Sequence, residues 1–486
     1  MIKNDIPQLL NHIDKYKSHL AHNEILFNIY EGDLLSYLKA DLASQFSPES
    51  FEMIQHRICP INVLIRIIDK LSKIYQQSPI RIIVDGKDND QELLSWYEEQ
   101  FKINQKFNIY NEFFNLHKGA LAEPYLSKNN KPSIRIIPYD RFLPYSNNKV
   151  DPTVPTHIIV NYGTVKKQIN KKESIDINVY AAYTDSEFVI FDEDGLISKE
   201  EMIQIGNPEG VNVFERIPYI YVNKSHNLLI PKQDTDTLKL TKVLPILLSD
   251  LNYAVMFQAF SIIYGINVND ENVKMAPHAF WRLTSVGDGE QKPEIGVIKP
   301  QIEIDAVLNL VQSEFSFWLN TKGIKPGSIG QASMENFSSG ISKMIDEMDI
   351  TEARIKQVEA FTDAEEEFWD LLINHVHPYW RTLGLIDSNL DWTPGVKIKT
   401  IFAEQIPMYN RGQLVKDLKE EVSAGFTTKK IAIRKLNPNL KNEEIDDLIS
   451  QIDDERGYIE EEEKEEINLE EGEGKENANE MAEDKD

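Results

Sequence analysis

Two long helical patterns separated by a glycine-bearing segment constrain this chain more than any other feature. Apolar residues recur at helical spacing at Ile304, Val307, Leu308, Leu310, Val311, Phe315, Trp318 and Leu319, and Asn320–Gly323 has the composition of a helix C-cap. A second pattern, which Ser338 or Ser339 can cap, continues to Leu372 and exceeds the average helix of about a dozen residues. An isolated pair of this kind is most often an ordinary helical hairpin, but a helix this long needs a large surface to pack on.

Composition indicates a folded chain in a reducing compartment. Its 486 residues, 41% hydrophobic and 9% aromatic, are enough for two or three domains with cores. Cys59 is the only cysteine, which excludes an intramolecular disulfide framework and a multi-cysteine zinc site. The first residues lack the pattern of a signal peptide, so we expect no export. The apolar run 243–268 is interrupted by Pro245 and Asp250, among others, so we expect no membrane span.

The net charge of −27 is concentrated near the carboxyl end. Residues 453–486 contain 17 acidic and 4 basic residues, a net charge of −13 that makes up about half of the excess. This tail has almost no apolar side chains to bury and is predicted to be disordered. A chain this acidic gains little from counterion release, so tight conventional binding of nucleic acid is not expected. Acidic walls, however, let a polyanion pass without sticking.

The pattern along the chain predicts an α+β protein that is predominantly helical. Helical spacing is found in 1–45, 62–75, 90–101, 234–265, 304–322 and 341–372, and strand patterns are found at 80–84, 134–137, 157–162, 175–183, 188–191, 218–222 and 396–402. Pro245 is suited to the first position of a new helix. Residues 266–301 form a compact insert with strand and turn signals, and 409–452 read as short amphipathic helices with turns at Gly425 and at Asn437–Pro438.

No reaction centre is evident in the sequence, and we predict no catalytic residue, no metal and no cofactor. A phosphate-binding loop and a nucleophile elbow are both missing from the sequence. Asp192–Gly195 has part of the spacing of a calcium loop, but Ile190 would occupy the first ligand position, so a hairpin turn is favoured. His375 and His377 point in different directions on a helix, and Pro378 suggests that the helix ends there.

The order of elements, together with several motifs, resembles the portal proteins of tailed bacteriophages over nearly the whole chain. Asn62–Tyr75, followed by Ser78-Pro79-Ile80, is similar to the early helix of that family and its step into a strand. Ser338-Ser-Gly340-Ile-Ser-Lys-Met-Ile345 resembles the start of the helix that follows the tunnel loop, and 408–421 with 443–452 are similar to the closing helices.

The resemblance implies a portal-like architecture of wing, stem, clip and crown, with an antiparallel sheet in the wing and a small α/β clip. The implied regions are the wing at 1–233, stem helices at 234–265 and 302–322, the clip at 266–301, the tunnel loop at 323–339, a long wing helix with the returning strand at 340–408, the crown at 409–458 and a disordered acidic tail at 459–486.

Two groups of residues are implied to face DNA. In the tunnel loop, Lys322, Lys325, Ser328, Gln331, Ser333 and Asn336 offer hydrogen-bond donors for transient phosphate contacts, while Gly323, Gly327, Gly330 and Gly340 serve as hinges. In the crown, the basic cluster consists of Lys429, Lys430, Arg434 and Lys435. The alternatives are a solvated connector for the loop and an acidic face of a neighbouring subunit for the basic cluster.

The function implied by the resemblance is that of a non-enzymatic ring, dodecameric by analogy, at one vertex of a phage head. Double-stranded DNA would pass through it without sequence readout. The implied partners are the terminase large subunit, head-completion and tail adaptor proteins at the clip, and the major capsid and scaffolding proteins, with no membrane. The expected location is the host cytoplasm during assembly and then the virion. Two other interpretations stay open: an acidic intracellular scaffold or adaptor without a DNA channel, and a metal-dependent DNA-processing enzyme.

Overall fold

A computed structural model describes residues 2–127, 129–170, 173–204, 207–225, 227–260, 262–266, 294–298, 304–324, 340–386, 390–402, 411–437 and 445–452. Helices predominate over strands, and the strand pairs of known register are antiparallel, which confirms the predicted α+β class. By compactness the chain divides into two units, one comprising Met1–Ile74 with Ile83–Lys399 and the other Tyr75–Ile82 with Thr400–Asp486. The acidic tail lies outside the described residues.

Helices at the amino end of the chain build two cores. They are α1 Ile6–Tyr30, α2 Leu34–Ala43, α3 Pro48–Ile54 and α4 Val63–Leu71. Asn62 caps α4 by accepting a hydrogen bond from the backbone N–H of Leu64. Leu64 and Ile68 of α4 pack with α1 and α2, whereas Val63 and Ile67 face a separate cluster. The helix predicted to reach Tyr75 ends at Leu71, because Ser72 leaves the helical conformation and its side chain is buried.

Two antiparallel sheets follow, interrupted by one short helix. β1 Ile80–Val84 comes before them in the chain and belongs to neither; their strands are β2 Gly119–Leu126, β3 Pro132–Pro138, β4 Phe142–Tyr145, β5 His157–Asn170, β6 Glu173–Tyr183, β7 Phe188–Asp192 and β8 Ile220–Asn223, with α7 at Lys199–Gln204. Three strands are ordered β3-β2-β8 and four are ordered β4-β5-β6-β7. The amino-terminal half of α1 packs on the four-stranded sheet through Ile6, Leu9 and Ile13.

An aromatic core connects the middle of the chain to a helix far along the sequence. It is formed by α5 Asp88–Phe101, α6 Ile103–His117 and α10 Gly340–Leu371. Phe361 and Phe368 of α10 are fully buried. The ring of Phe361 lies 5.4 Å from that of Tyr110, and the ring of Phe368 lies 5.4 Å from that of Phe107, both edge-on, the arrangement that the aromatic quadrupole favours. The long second helix predicted from the sequence is therefore confirmed, and it packs against α5 and α6 through these rings and also against α4 and β8.

Two further helices and a strand pair surround the predicted insert. They are α8 Thr235–Phe260, β9 Ile262–Ile266, β10 Glu294–Ile298 and α9 Ile304–Thr321. The helix predicted for 234–265 is wrong at its end, because Ile262–Ile266 pairs with β10 in an antiparallel ladder. The prediction that Pro245 begins a helix is also wrong, since it lies inside α8. Leu244, Leu247 and Leu248 pack in one cluster around it, so burial on both sides of the proline outweighs its helix-breaking effect.

The helical run beyond α10 continues past the point predicted for its end. A π-helical turn, Leu372–Val376, leads directly into α11 His377–Thr382, with Pro378 in its first turn. The backbone N–H of His377 bonds to the carbonyl of Leu372, five residues back. Pro378 has no N–H to donate to a carbonyl of the preceding turn. Because the π turn widens the helix just before it, this missing bond does not end the helix.

After α11 come β11 Lys397–Ile401, which is hydrogen-bonded to β1, then α12 Arg411–Ser423, α13 Lys429–Leu436 and a helical stretch at 445–452. In the second unit, α12, α13 and this stretch bury Leu418, Ala432 and Ile445. Gly425 ends the turn after α12 with φ +78°, as the sequence predicts. Pro438 lies outside the described residues.

Candidate functional site

The α8–α9 pair holds the first end of the glycine-bearing segment. The two helices share a core with α4, in which Val311, Trp318 and Leu319 of α9 are buried against Leu244 of α8. Phe315 of α9 and Leu240, Leu247 and Leu248 of α8 pack around this core. Part of the apolar pattern that predicted α9 therefore forms the packed face of the helix, whereas Leu308 and Leu310 of the same pattern are exposed.

At its carboxyl end, α9 is closed by a complete Schellman motif. The N–H of Ile324 bonds to the carbonyl of Leu319 at 2.9 Å, and the N–H of Gly323 bonds to that of Asn320 at 3.1 Å. Gly323 has φ +71°, a left-handed conformation that costs a residue with a Cβ about 1–2 kcal/mol. Ile324 is 1% exposed and packs in the same cluster as Leu319. The chain is thus held by both backbone and side chain as far as residue 324.

Lys322 lies between two carboxylates from the start of α8, and we call this group the Lys322 ion cluster. Its ammonium donates to both carboxylate oxygens of Asp234 at 2.9 Å and lies 3.1 Å from a carboxylate oxygen of Asp236. Lys118 adds a weaker contact, with its ammonium 3.8 Å from Asp234. The ammonium of Lys322 also lies 5.9 Å from the centre of the Trp318 ring.

The electrostatics of this cluster favour the ionised pair. Burial alone would raise the pKa of Asp234, but hydrogen bonding with Asp236 and with the Lys322 ammonium holds it well below its usual range. Asp234 directly precedes α8 and Lys322 directly follows α9, so each charge also faces the helix end of opposite partial charge. The Asp234 carboxylate therefore stays ionised near neutral pH, where it accepts hydrogen bonds from the Lys322 ammonium.

A buried polar network holds α10 in addition to the aromatic core. The side-chain carbonyl of Gln357 accepts hydrogen bonds from the amides of Asn111 at 2.9 Å and Asn115 at 3.1 Å. The Asn115 amide also donates to the hydroxyl of Ser72. These side chains are all at most 6% exposed, and the network therefore fixes the register between α10, α6 and the end of α4.

Close to the π turn, one arginine pairs with two carboxylates of α10. The guanidinium of Arg216 donates to Asp370 at 2.6 Å and to Glu367 at 2.9 Å. Burial raises the pKa of Glu367, while Arg216 opposes that shift. Arg216 thus holds the end of α10 through both carboxylates.

The histidines near the π turn have separate partners. A ring nitrogen of His375 lies 2.8 Å from the carbonyl of Phe214, while His377 is buried, with its ring nitrogens 2.7 Å from the hydroxyl of Tyr97 and 3.1 Å from the carbonyl of Leu390. Among the residues that the structure describes, no group of His, Cys, Asp and Glu has the geometry to hold a metal ion. Asp192 closes a turn by accepting from the N–H groups of Asp194 and Leu196, as the hairpin interpretation predicted.

Only a few of the residues predicted for the tunnel loop belong to the described part of the chain. Lys325, Gly327, Ser328, Gly330, Gln331, Ser333 and Asn336 lie outside the described residues. Gly340 is the first residue of α10, and Gly323 is the cap residue of α9. Lys322 is therefore the one predicted loop contact that lies within the described residues.

Two residues of the basic cluster of the second unit are paired with acidic side chains of the same unit. The ammonium of Lys430 lies 2.7 Å and 2.8 Å from the two carboxylate oxygens of Asp446, and that of Lys435 lies 3.7 Å from Glu421. Lys429 and Arg434 also have interaction partners. The four residues predicted as one patch all lie on α13, and Lys430 and Lys435 link this helix to residues 445–452 and to α12.

Sequence reasoning missed Asp234 and Asp236. Their signal is an Asp-x-Asp step directly before a helical apolar pattern, which marks a helix amino terminus but does not disclose a lysine partner 88 residues away.

The α8–α9 pair also exposes apolar side chains. On α9, Phe317 is 73% exposed and Leu310 is 54% exposed, and on α8, Val243 and Val255 are exposed as well. Within the described part of the chain, no helix is both long enough and apolar enough for a bilayer span. These faces are consistent with a protein partner.

Comparison with known proteins gives a family match over most of the chain. A family model described as "Phage portal protein, SPP1 Gp6-like" matches residues 5–471. No curated protein matches the chain. Among solved structures, the chain is similar to one described as "Neck of native GTA particle computed with C12 symmetry", at 11% identity and a TM-score of 0.35, covering 80% of this chain and 94% of that chain.

Proposed function

The chain belongs to the family of phage portal proteins, and we propose that it forms the ring-shaped channel at one vertex of a phage head through which double-stranded DNA is packaged and ejected. The observation that carries this proposal is the family match over residues 5–471, which includes the α8–α9 pair, the glycine-bearing segment and α10. No chemical step is assigned to the chain, and an ATP-driven terminase would supply the force.

Ring formation is supported by the unsatisfied apolar faces of the α8–α9 pair. Phe317 and Leu310 of α9 face solvent, although both lie on a helix that buries its opposite side against α4 and α8. Identical copies around a closed axis would cover these side chains through one repeated contact. We propose a homo-oligomeric ring, with twelve subunits expected from the family resemblance.

The proposed regions follow the described elements. We assign residues 1–233 to the wing, together with β11, because this strand pairs with β1. We assign α8 and α9 to the stem, 266–301 to the clip and 323–339 to the tunnel loop. α10 and α11 are assigned to the long wing helix, and 409–458 to the crown. β9 and β10 pair at the two ends of the proposed clip, as expected for an insert that leaves the stem and returns to it.

The proposed DNA contacts lie in the tunnel loop. Lys325, Ser328, Gln331, Ser333 and Asn336 offer donors for phosphate oxygens, whereas Lys322, at the base of the loop, is already paired with Asp234 and Asp236. The crown cluster Lys429, Lys430, Arg434 and Lys435 is a second candidate, with its charges shared with acidic neighbours. Contact with DNA at either place would be independent of sequence.

The proposed partners are those of a portal vertex. The terminase large subunit would dock during packaging, head-completion and tail adaptor proteins would dock at the clip, and major capsid and scaffolding proteins would surround the wing. The protein would be present in the host cytoplasm during assembly and in the virion afterwards. These partners are inferred from the family.

Electron microscopy of the purified chain tests the proposal directly. Annular particles with a central hole wide enough for a duplex are expected, and heads assembled without the chain should contain no DNA. A chain that stays monomeric at all concentrations would overturn the proposal, and solid particles would favour a scaffold. Metal-dependent cleavage of DNA by the purified chain would favour an enzyme.

The glycines of the loop provide a functional test. Replacing Gly327 and Gly330 by valine should reduce DNA packaging and leave ring formation intact, because a Cβ restricts the backbone conformations open to the loop. Packaging is measured as DNA protected from nuclease per head, and rings are counted by microscopy. Loss of the rings themselves would mean that the segment is structural.

A further inference from the structure

The chain path that enters the tunnel loop is fixed by charge as well as by packing. Lys322 follows the last residue of α9, and its ammonium reaches Asp234 and Asp236 at the opposite end of the neighbouring helix. The side chains of Lys322 and Asp234 are only 20% and 13% exposed, so this pair is shielded from solvent more than a surface ion pair.

The cluster bears too little positive charge to attract a phosphate. Two carboxylates surround the Lys322 ammonium, and Lys118 contributes only a longer contact to Asp234. A phosphate could bind Lys322 only by displacing carboxylates that are already within hydrogen-bonding distance. The arrangement favours an internal role for this lysine.

We propose that Asp234 and Asp236 are positioning residues for the tunnel loop: by holding Lys322 they fix the point at which the loop leaves α9. The buried side chain of Ile324 and its backbone bond to Leu319 add to this anchor at the start of the loop. The description as a tunnel loop rests on the proposed function, but the anchoring by Asp234 and Asp236 does not.

Limited proteolysis tests the anchor without DNA. Trypsin cleaves after Lys322 only when its side chain is released, and it does not cut after Lys325 because Pro326 follows. In the variant Asp234→Asn with Asp236→Asn, we expect cleavage between Lys322 and Gly323 to accelerate roughly ten- to hundredfold, since hydrogen bonds to a charged group are lost. Asn caps a helix as well as Asp does, so the variant removes the charges and keeps the cap.

A matched control breaks a different ion pair on the same helix. Asp41 lies 3.0 Å from Lys242 of α8, and Asp41→Asn should leave cleavage after Lys322 unchanged. Cleavage after Lys356, an exposed residue of α10, reports on general loosening and should be equal in all variants. Wild-type cleavage at Lys322 in the double variant would overturn the proposal, as would an equal acceleration at Lys356.

Charge exchange separates anchoring from direct contact with DNA. Lys322→Asp should impair packaging, and combining it with Asp234→Lys should recover part of the loss, because the pair is restored with its signs reversed. If the combined variant packages no better than Lys322→Asp, then Lys322 acts by touching phosphate and the positioning role is wrong.

Different results would refute the Lys322 anchor and the portal assignment. Faster cleavage at Lys322 in a chain that forms no rings would keep the anchor and reject the portal assignment. If the chain forms rings that package DNA, but cleavage after Lys322 is the same in the double variant as in the wild type, the portal assignment is kept and the anchor is rejected.

Discussion

Phe317 provides the sharpest test of ring assembly. It is 73% exposed on α9, whereas Trp318 beside it is 7% exposed. A Phe side chain has on the order of 200 Å² of surface, so about 150 Å² of this ring faces solvent in the isolated subunit. At about 25 cal/mol per Å², covering it fully would contribute about 3.5 kcal/mol to each subunit contact.

Phe317→Ser should therefore weaken the ring strongly. A loss of about 3.5 kcal/mol corresponds to a roughly 400-fold weaker contact, and partial coverage of the ring would bring this nearer to tenfold. Mass photometry over a dilution series measures the concentration at which rings fall apart, and circular dichroism checks that the subunit stays folded.

The control replaces an equally solvent-facing apolar residue elsewhere. Val150, in the connection between β4 and β5, is 95% exposed, and Val150→Ser should leave the dissociation concentration unchanged. If Phe317→Ser rings are as resistant to dilution as those of the wild type, the α8–α9 pair does not form the subunit contact. The argument from its exposed apolar face would then be wrong.

Two further predictions concern the interior. Burial, together with the nearby His19 and His22, lowers the pKa of His117 to about 3. Between pH 7 and pH 5 the unfolded chain therefore binds a proton at this residue and the folded chain does not, which should reduce the free energy of unfolding by about 2 kcal/mol. His117→Phe should remove this contribution from the pH dependence of the urea midpoint. Gln357→Leu should destabilise the fold by roughly 1–3 kcal/mol in urea titrations, because two buried amides lose their acceptor, whereas Lys356→Leu on the exposed face should not.

The sequence was sufficient for elements whose pattern is local. Apolar spacing predicted α9 and α10, and Gly323 and Gly425 marked the helix ends that they cap with positive φ. Asn62 stands one residue before α4, where its side chain caps the helix. In each case the deciding interaction is made within a few residues of the chain, so its signal is present in a short window.

α6 was missed because its pattern is not local. Asn104, Asn108, Asn111 and Asn115 interrupt the apolar spacing of Ile103–His117. Asn111 and Asn115 are nevertheless buried, because Gln357, more than 240 residues away, accepts from both amides. Propensity treats asparagine as a turn residue, and no short window contains the partner that makes it a core residue.

Charged side chains are the residues whose role was hardest to predict, because their partners can lie far away in the sequence. Lys322 and Lys430 were selected as DNA contacts because each stands among donors in an acidic chain. The carboxylates that hold them come from 88 residues before Lys322 and 16 residues after Lys430. A run of basic residues therefore predicts where positive side chains lie but not where positive potential remains, since an ammonium with a carboxylate at 2.9 Å offers little attraction to a distant phosphate. In the proposed channel, lysines paired internally in this way would let DNA pass without being retained.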